Sequence, residues 1–272
     1  SASFKKGRER YSLLLVKEAF TILQEGSELI MIREGKRRRL KTTAGDILDL
    51  LSYFARQHPP LHQDIPLPAG GIGFLSYEFA RFFGHIFIIF DHYTDIIYLM
   101  GLNYREHEID LPTAMAATEE QLNDLNFNYL SSEEQSYTGS IQHSEGDKDT
   151  YMEGVSQVKR EIEMGNLLQG VLSRRLYIHS DIPALQAYKQ LRSQNPSPYL
   201  FYIDFGPYQL FGSSPEVHVK VKNGRAEIHP IAGTRRRGKT AEEDRRLAEE
   251  LLGDAKERAE HLMLVDLARN DL

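Results

Sequence analysis

The stretch that decides the fold is YLFYIDFGPYQLFGSSPEVHVKVKNGRAEIHPI, residues 199–231. It divides at a Gly-Pro pair (206–207) and at an Asn-Gly pair (223–224), and apolar segments flank both pairs. Asn-Gly between such segments is the strongest short-range hairpin signal, because both residues tolerate positive φ angles. The stretch therefore predicts two successive β-hairpins, with strands at 199–205, 208–211, 217–221 and 225–231.

Helix and strand signals lie on both sides of these hairpins. Before them, Thr150 begins a capping box, Gly165 ends the helix, residues 167–178 form a strand, and a second helix starts near Asp181. After them, Thr240-x-x-Glu243 is another capping box and Asp254 caps a last helix. Helices beside successive hairpins predict an α+β fold with a largely antiparallel sheet.

The first part of the chain mixes both element types. Apolar residues with β-preference predict strands within residues 12–20, 29–33 and 86–102. Residues 46–56 have apolar side chains at helical spacing. The polar, Ser-rich segment 131–149 is the best boundary in the chain. It predicts one region over residues 1–140 and a second over residues 147–272.

Composition narrows the class of protein. The 272 residues carry 33 Lys and Arg against 39 Asp and Glu, and the formal charge of −6 argues against nucleic-acid binding by bulk charge. There is no cysteine, which excludes disulfides, zinc–thiolate sites and thiol nucleophiles. No apolar run approaches the length of a membrane span, and no signal peptide is visible. We expect a cytoplasmic protein.

Carboxylates on the last predicted helix form the first candidate site. Glu257 and Glu260 stand three residues apart and share a helical face, and His261 lies beside them. Two such carboxylates suit Mg²⁺, which takes oxygen ligands. Spacing alone favours the alternative, a solvated acidic face in which Glu257 completes the Asp254 cap.

Two loops next to predicted strands supply further candidates. In GSSPE, residues 212–216, Glu216 is either a reactive carboxyl or a surface residue. In IAGTRRRG, residues 231–238, backbone N–H groups and a hydroxyl suit a carboxylate or phosphate. Its three arginines also fit a solvated loop or a nucleic-acid patch, and residues 37–39 form a second Arg cluster. These residues alone leave the function open.

Four motifs taken in order carry a specific resemblance. They are NPSPYLFY (195–202), GSSPE (212–216), PIAGTRRRG (230–238) and KERAEHLMLVDLARNDL (256–272). Together they resemble the component I family of anthranilate synthases, among the chorismate-utilising enzymes. The resemblance implies an α/β sandwich of two large antiparallel sheets with the active site between them. It also implies that further active-site residues follow Leu272, so we expect a truncated sequence.

The resemblance assigns roles to particular residues. It implies that Glu257 and Glu260 bind Mg²⁺, that Gly233 and Thr234 hold chorismate, with Thr234 among the catalytic residues, and that Glu216 is the general acid. Glu216 would protonate the hydroxyl that leaves C4, because hydroxide is a poor leaving group. Ammonia, supplied from glutamine by an amidotransferase subunit (component II), would add at C2, and loss of pyruvate would give anthranilate.

Two positions distinguish this activity from those of relatives. Gln169 occupies a substrate-site position where isochorismate- and salicylate-forming relatives have a lysine that activates water. Ala232 stands where aminodeoxychorismate synthases typically have lysine. Neither side chain supplies an amine, which favours ammonia as nucleophile. Those sister activities stay as alternatives, and a non-catalytic anion-binding module is the alternative of a different class.

A feedback site for tryptophan is also implied. Ser1 resembles the serine of a Leu-Leu-Glu-Ser motif, and with Pro198, Tyr199 and Leu200 it matches the family's tryptophan site. The alternative for residues 198–200 is a strand entering the core.

Overall fold

The computed structural model describes residues 11–40, 47–58, 72–74, 80–124, 136–144, 148–222 and 224–272. Contacts divide the chain into two compact units, one formed by Ser1–Asn126 with Leu191–Leu272 and the other by Phe127–Gln190. These boundaries differ from the predicted one between residues 140 and 147. The two units are defined by contacts within the structure and not by function. The predicted division into two functional regions therefore stays a prediction.

The described elements follow one another in a mixed order. They are β1 (Tyr11–Glu25), β2 (Glu28–Arg33), β3 (Lys36–Arg39), α1 (Ile47–Ala55), β4 (Ile72–Phe74), β5 (Ala80–Asp91), β6 (Ile96–Gly101), α2 (Leu111–Asn123), β7 (Gly139–Ser144), α3 (Lys148–Glu163), β8 (Leu176–Ser180), α4 (Ala184–Gln194), β9 (Tyr199–Asp204), β10 (Gln209–Ser214), β11 (Lys220–Lys222), β12 (Arg225–Glu227), α5 (Ala241–Gly253) and α6 (Ala255–Asp271). None of the described helices is long and apolar enough to span a membrane.

A six-stranded sheet forms the first part of the larger unit. Its order is β3-β2-β1-β5-β4, and β6 also pairs with β5. Every pairing in it is antiparallel, as the sequence predicts. The apolar run over residues 86–102 is two strands rather than one, because β5 turns back into β6 through residues 92–95.

Aromatic rings fill the core beside this sheet. Phe20 and Phe83 face each other across β1 and β5, with their ring centroids 4.8 Å apart. Phe54 of α1 lies 4.9 Å from Phe20, and Tyr104 meets Phe20 edge-on at 5.2 Å. The apolar face predicted for α1 is the face it buries, through Ile47, Leu50, Leu51 and Phe54. The helical spacing in the sequence therefore identifies the side of α1 that packs on the core.

The two predicted hairpins of the larger unit are both present. In β9–β10, Tyr199 pairs with Ser214 and Asp204 pairs with Gln209. The β11–β12 pair is shorter than predicted and extends only from Lys220 to Glu227. Gly224 lies in the turn of this hairpin with φ of +74°, whereas Asn223 lies outside the described residues.

The smaller unit departs from prediction at three places. The segment expected to be a linker contains β7, which pairs with β8. Helix α3 already includes Lys148, so Thr150 lies inside it and is not a cap. Residues 167–175 form no strand, because no described strand pairs with them and an extended segment needs a partner for its ladder hydrogen bonds. Gly165, with φ of +80°, follows α3 as predicted.

Truncating Phe20 tests the aromatic core. Phe20 is fully buried, so Phe20→Ala should lower the free energy of unfolding by about 3–5 kcal/mol, because it removes buried area and leaves a cavity. Urea denaturation followed by circular dichroism measures the loss. The control Ile97→Thr changes a side chain that is 53% exposed and keeps a β-branched residue in β6, and should cost no more than about 0.5 kcal/mol. Equal losses in the two variants would contradict this description of the core.

Candidate active site

The Arg-rich loop, residues 231–238, is held by the two helices that follow it. Arg235 donates from Nε to Glu250 at 3.2 Å and from Nη2 to Asp254 at 2.8 Å. Its Nη1 donates to the backbone carbonyl of Thr234 at 3.0 Å and lies 3.7 Å from Glu257 Oε1. Glu250 and Asp254 raise the pKa of Arg235, and the hydrogen bond that Arg235 donates to Glu250 contributes most. One guanidinium thus ties the loop to the junction of α5 and α6.

Gly233 lets the Arg-rich loop approach the start of α6. Its φ of +73° lies in the left-handed region, where residues with a Cβ are rare. A Cβ at this position would lie 2.8 Å from Glu257 Oε2 and 3.0 Å from Leu251 Cδ1. The backbone conformation therefore favours glycine, and a Cβ would displace the Glu257 carboxylate. The first residue of the predicted chorismate pair thus lies close to a predicted metal ligand.

The other two arginines of the loop pair with the first turn of α5. Arg236 Nη2 lies 3.0 Å from Glu243 Oε1, and Arg237 forms a two-pronged ion pair with Asp244. The hydrogen bond from Arg237, helped by the Gly238 N–H, lowers the pKa of Asp244 to about 2. All three arginines of the loop therefore have carboxylate partners within the chain, which argues against a free anion-binding patch.

Helix α6 begins with the predicted cap and presents the predicted carboxylates. Asp254 accepts hydrogen bonds from the backbone N–H groups of Lys256 and Glu257, at 3.0 and 3.2 Å. The Glu257 N–H contributes most to lowering the pKa of Asp254. The cap fixes the first turn, and with it Glu257, which is half-buried like Glu260 on the same face.

The pair Glu257 and Glu260 fits the ligand chemistry of Mg²⁺. This ion is typically bound by one or two carboxylates and keeps waters or substrate oxygens in its other positions. Among the described residues, no cluster of three or more acidic or histidine side chains forms a closed metal site. Two half-buried carboxylates beside a loop suit an ion that also contacts a substrate.

The GSSPE motif lies on β10 and in the turn that follows it. Gly212 pairs with Phe201, and a Cβ on Gly212 would come within 2.6 Å of the Phe201 ring. Ser213 donates from its hydroxyl to the carbonyl of Asn195 at 2.5 Å. Gly212 and Ser213 therefore connect GSSPE to the NPSPYLFY motif, and the two motifs pack together in one hairpin.

The predicted general acid follows directly after this strand. The Ser214 hydroxyl accepts from the Glu216 N–H at 3.3 Å and donates to the Glu216 carbonyl at 3.1 Å. This turn places the Glu216 side chain at the end of the hairpin, where it is exposed. The described residues therefore leave the Glu216 side chain accessible to solvent and substrate.

The remaining predicted residues lie at different places. Pro198, Tyr199 and Leu200 are at the start of β9, where Tyr199 and Leu200 pair with the serines of GSSPE. Gln169 is an exposed residue of the smaller unit, in the segment that forms no strand. The predicted strand position of Gln169 is therefore wrong, whereas its role stays a prediction. Ser1 lies outside the described residues.

Sequence reasoning did not find the role of Arg235. A signal was present, because Arg236 and Arg237 are each followed seven residues later by the acid they pair with, Glu243 and Asp244. This offset indicates a loop that folds back on the next helix. It does not by itself reveal that Arg235 reaches past α5 to α6.

The chain is similar to known proteins in both sequence and fold. The sequence profile of a family described as chorismate binding enzyme matches residues 17–272. Anthranilate synthase component 1 of Spirochaeta aurantia is 55% identical over 100% of this chain and 61% of its own length. The protein of the same name from Bacillus caldotenax is 35% identical over 97% of this chain and 59% of its own length.

A solved structure shares the fold. The crystal structure of anthranilate synthase component I from Streptococcus pneumoniae matches with a TM-score of 0.77 and 28% identity, over 97% of this chain and 61% of that one. The α+β fold predicted from the sequence is confirmed by this match. The chain spans about three-fifths of the length of the curated relatives described above. Since the family profile covers nearly all of it, the chain belongs to the chorismate binding enzyme family.

Proposed function

We propose that this chain is part of the large subunit of an anthranilate synthase. The reaction would convert chorismate and ammonia to anthranilate, pyruvate and water. The observation that carries the proposal is the close approach of Gly233 to Glu257, whose Oε2 would lie 2.8 Å from a Cβ on Gly233, because it brings the loop assigned to chorismate next to a carboxylate assigned to Mg²⁺. The 55% identity to a relative named anthranilate synthase component 1 supports the same activity.

The proposed chemistry divides among named groups. Ammonia forms the new bond at C2 of chorismate, and the C4 hydroxyl leaves as water after accepting a proton from Glu216. Elimination of the enolpyruvyl group as pyruvate then gives the aromatic ring. The Gly233–Thr234 segment would orient the substrate through its backbone and the Thr234 hydroxyl. Arg235 restrains this backbone by donating to the Thr234 carbonyl.

Glu257 and Glu260 would hold the Mg²⁺ that this chemistry needs. When bound, the ion offsets the carboxylate charge of chorismate, which a chain with a net charge of −6 does not do by its own field. Glu257 and Glu260 themselves would supply two oxygen ligands. The Asp254 cap and the hydrogen bond from Arg235 to Asp254 restrain the first turn of α6, which contains Glu257. Glu216 is exposed in the structure, and bound substrate would exclude water from around its carboxyl group.

The sister activities differ in the nucleophile. An aminodeoxychorismate synthase also uses ammonia, whereas an isochorismate or salicylate synthase uses water. Ala232 and Gln169 supply no amine, which supports ammonia addition with anthranilate as the product. An anion-binding module receives no support from the Arg-rich loop, since each of its arginines has an acidic partner.

Regulation by tryptophan and the supply of ammonia complete the proposal. Pro198, Tyr199 and Leu200 are assigned to tryptophan, and β9 pairs Tyr199 with Ser214, two residues before Glu216. A ligand that moves the start of β9 would therefore also move the end of β10. A glutamine amidotransferase subunit as the source of ammonia stays a prediction from the family resemblance. A cytoplasmic location stays a prediction from the sequence, in which neither a membrane span nor a signal peptide is visible.

Product identification tests the proposal. The complete protein, given chorismate, an ammonium salt and Mg²⁺, should form anthranilate, detected by its fluorescence and identified by mass spectrometry. Omitting ammonium is the control and should stop product formation. Isochorismate, salicylate or aminodeoxychorismate as the product would assign the protein to a sister activity and contradict the proposal.

Glu216→Gln tests the general-acid role. The amide keeps the shape of the side chain but does not donate a carboxyl proton, so ammonia-dependent turnover should fall by at least about 100-fold. Binding of chorismate in the presence of Mg²⁺, measured by calorimetry, should persist. Glu249→Gln is the matched control, because Glu249 is an exposed glutamate of α5, and it should keep full turnover. Turnover of Glu216→Gln within threefold of the wild type would refute the assignment.

A further inference from the structure

A glycine at the end of the Arg-rich loop lies directly against the start of α5. The Gly238 N–H donates to Asp244 Oδ1 at 2.8 Å. A Cβ on Gly238 would come within 2.7 Å of both the Asp244 Cα and the Glu243 carbonyl carbon. Both are backbone atoms, which cannot turn aside as the end of a flexible side chain can. The absence of a side chain on Gly238 therefore lets the loop contact the backbone of α5.

Two consecutive carboxylates of α5 accept hydrogen bonds from the chain at the end of this loop. Asp244 accepts from Gly238, and Glu243 Oε2 accepts from the Lys239 N–H at 2.8 Å. The Thr240 hydroxyl accepts from the Glu243 N–H at 3.1 Å and so caps the same turn. Hydrogen bonds from backbone N–H groups to carboxylates are among the stronger ones in proteins, because the acceptor is charged. The first turn of α5 therefore holds the end of the loop.

The ion pairs between the loop and the same carboxylates add less to this attachment. The side chains of Arg236 and Arg237 are 67% and 89% exposed, and water and salt weaken ion pairs at such exposure. The Asp244 side chain is only 30% exposed, and its pKa of about 2 keeps it ionised at neutral pH. The hydrogen bond from the Gly238 backbone is therefore the main contact through which Asp244 holds the loop.

Two attachments restrain the Gly233–Thr234 segment of the loop. The first is Arg235, which donates to the Thr234 carbonyl. The second is the Gly238 backbone, which is bound to Asp244. Only three residues separate Thr234 from Gly238. A displacement of Gly238 would therefore move Thr234, unless those three residues take up a new conformation.

We propose that Asp244 is a positioning residue for the Gly233–Thr234 segment. By holding the Gly238 backbone on α5, it fixes the place at which that segment would meet chorismate. Its effect on the substrate passes through the loop, because its carboxylate is engaged by Gly238 and Arg237. This inference rests on the proposed function, which assigns the segment to chorismate, and adds a residue outside the predicted site.

Steady-state kinetics of Asp244 variants of the complete protein test the proposal. Asp244→Ala removes the acceptor of the Gly238 N–H, so the KM for chorismate should rise about 10-fold, as expected for the loss of one hydrogen bond to a charged group. The kcat should fall less than about threefold and the KM for ammonium should not change, because the lost interaction positions chorismate alone. Asp244→Asn keeps an oxygen that can accept from Gly238 and should raise the KM less. A KM for chorismate within about twofold of the wild type in Asp244→Ala would overturn the proposal.

Arg237→Gln is the matched control on the same loop. It removes the ion pair with Asp244 but leaves the Gly238 hydrogen bond in place. Its KM for chorismate should stay within about threefold of the wild type, because the pair is exposed. A rise as large as that of Asp244→Ala would show that the charge of the loop matters and not its backbone attachment, which would also overturn the proposal.

A double-mutant cycle with Thr234→Val separates positioning from a general loss of stability. If Asp244 acts through the segment that contains Thr234, Asp244→Ala should lower kcat/KM for chorismate by at most about threefold in the Thr234→Val background, instead of about 10-fold. Equal losses in both backgrounds would indicate a merely structural role and overturn the proposal. The same cycle with Asp244→Asn decides the question if the alanine variant does not fold. A wild type that forms no anthranilate from chorismate would instead refute the proposed function.

Discussion

The close approach of Gly233 to Glu257 is the constraint on which the candidate site depends. The Gly233 backbone has φ of +73°, and a Cβ there would lie 2.8 Å from Glu257 Oε2. The loop that would hold the substrate therefore lies close to the helix that would hold the metal. Arg235 connects the same two segments, because it donates to the Thr234 carbonyl and to Asp254.

Local interactions elsewhere serve the same arrangement. The Asp254 cap fixes the first turn of α6, and the pairs formed by Arg236 and Arg237 hold the rest of the loop on α5. The hairpin β9–β10 is a second rigid element, in which Ser213 and Asn195 connect two motifs that are far less informative apart. Each motif thus has residues that stabilise the local structure as well as residues that could react. Spacing alone therefore favours a structural role for several of them.

The sequence predicts best those features that a few neighbouring residues decide. The caps at Thr240 and Asp254, the buried face of α1 and the β9–β10 hairpin follow from local chemistry, and the structure confirms them. Features that depend on distant partners were missed. Residues 167–175 have strand-like composition but no described partner, and the hydrogen bonds of Arg235 join residues 15 and 19 positions apart. The roles of Glu216, Glu257 and Glu260 came from the family resemblance, because spacing gives their positions without their chemistry.

The most direct test of the account is the position of the divalent cation itself. Crystals of the complete protein soaked with Mn²⁺ and chorismate would give an anomalous-scattering peak at each bound ion. We expect a peak bonded to the carboxylates of Glu257 and Glu260, next to the Gly233–Thr234 segment. A peak bonded elsewhere, or full occupancy by chorismate with no ion at these two glutamates, would contradict the proposed Mg²⁺ site.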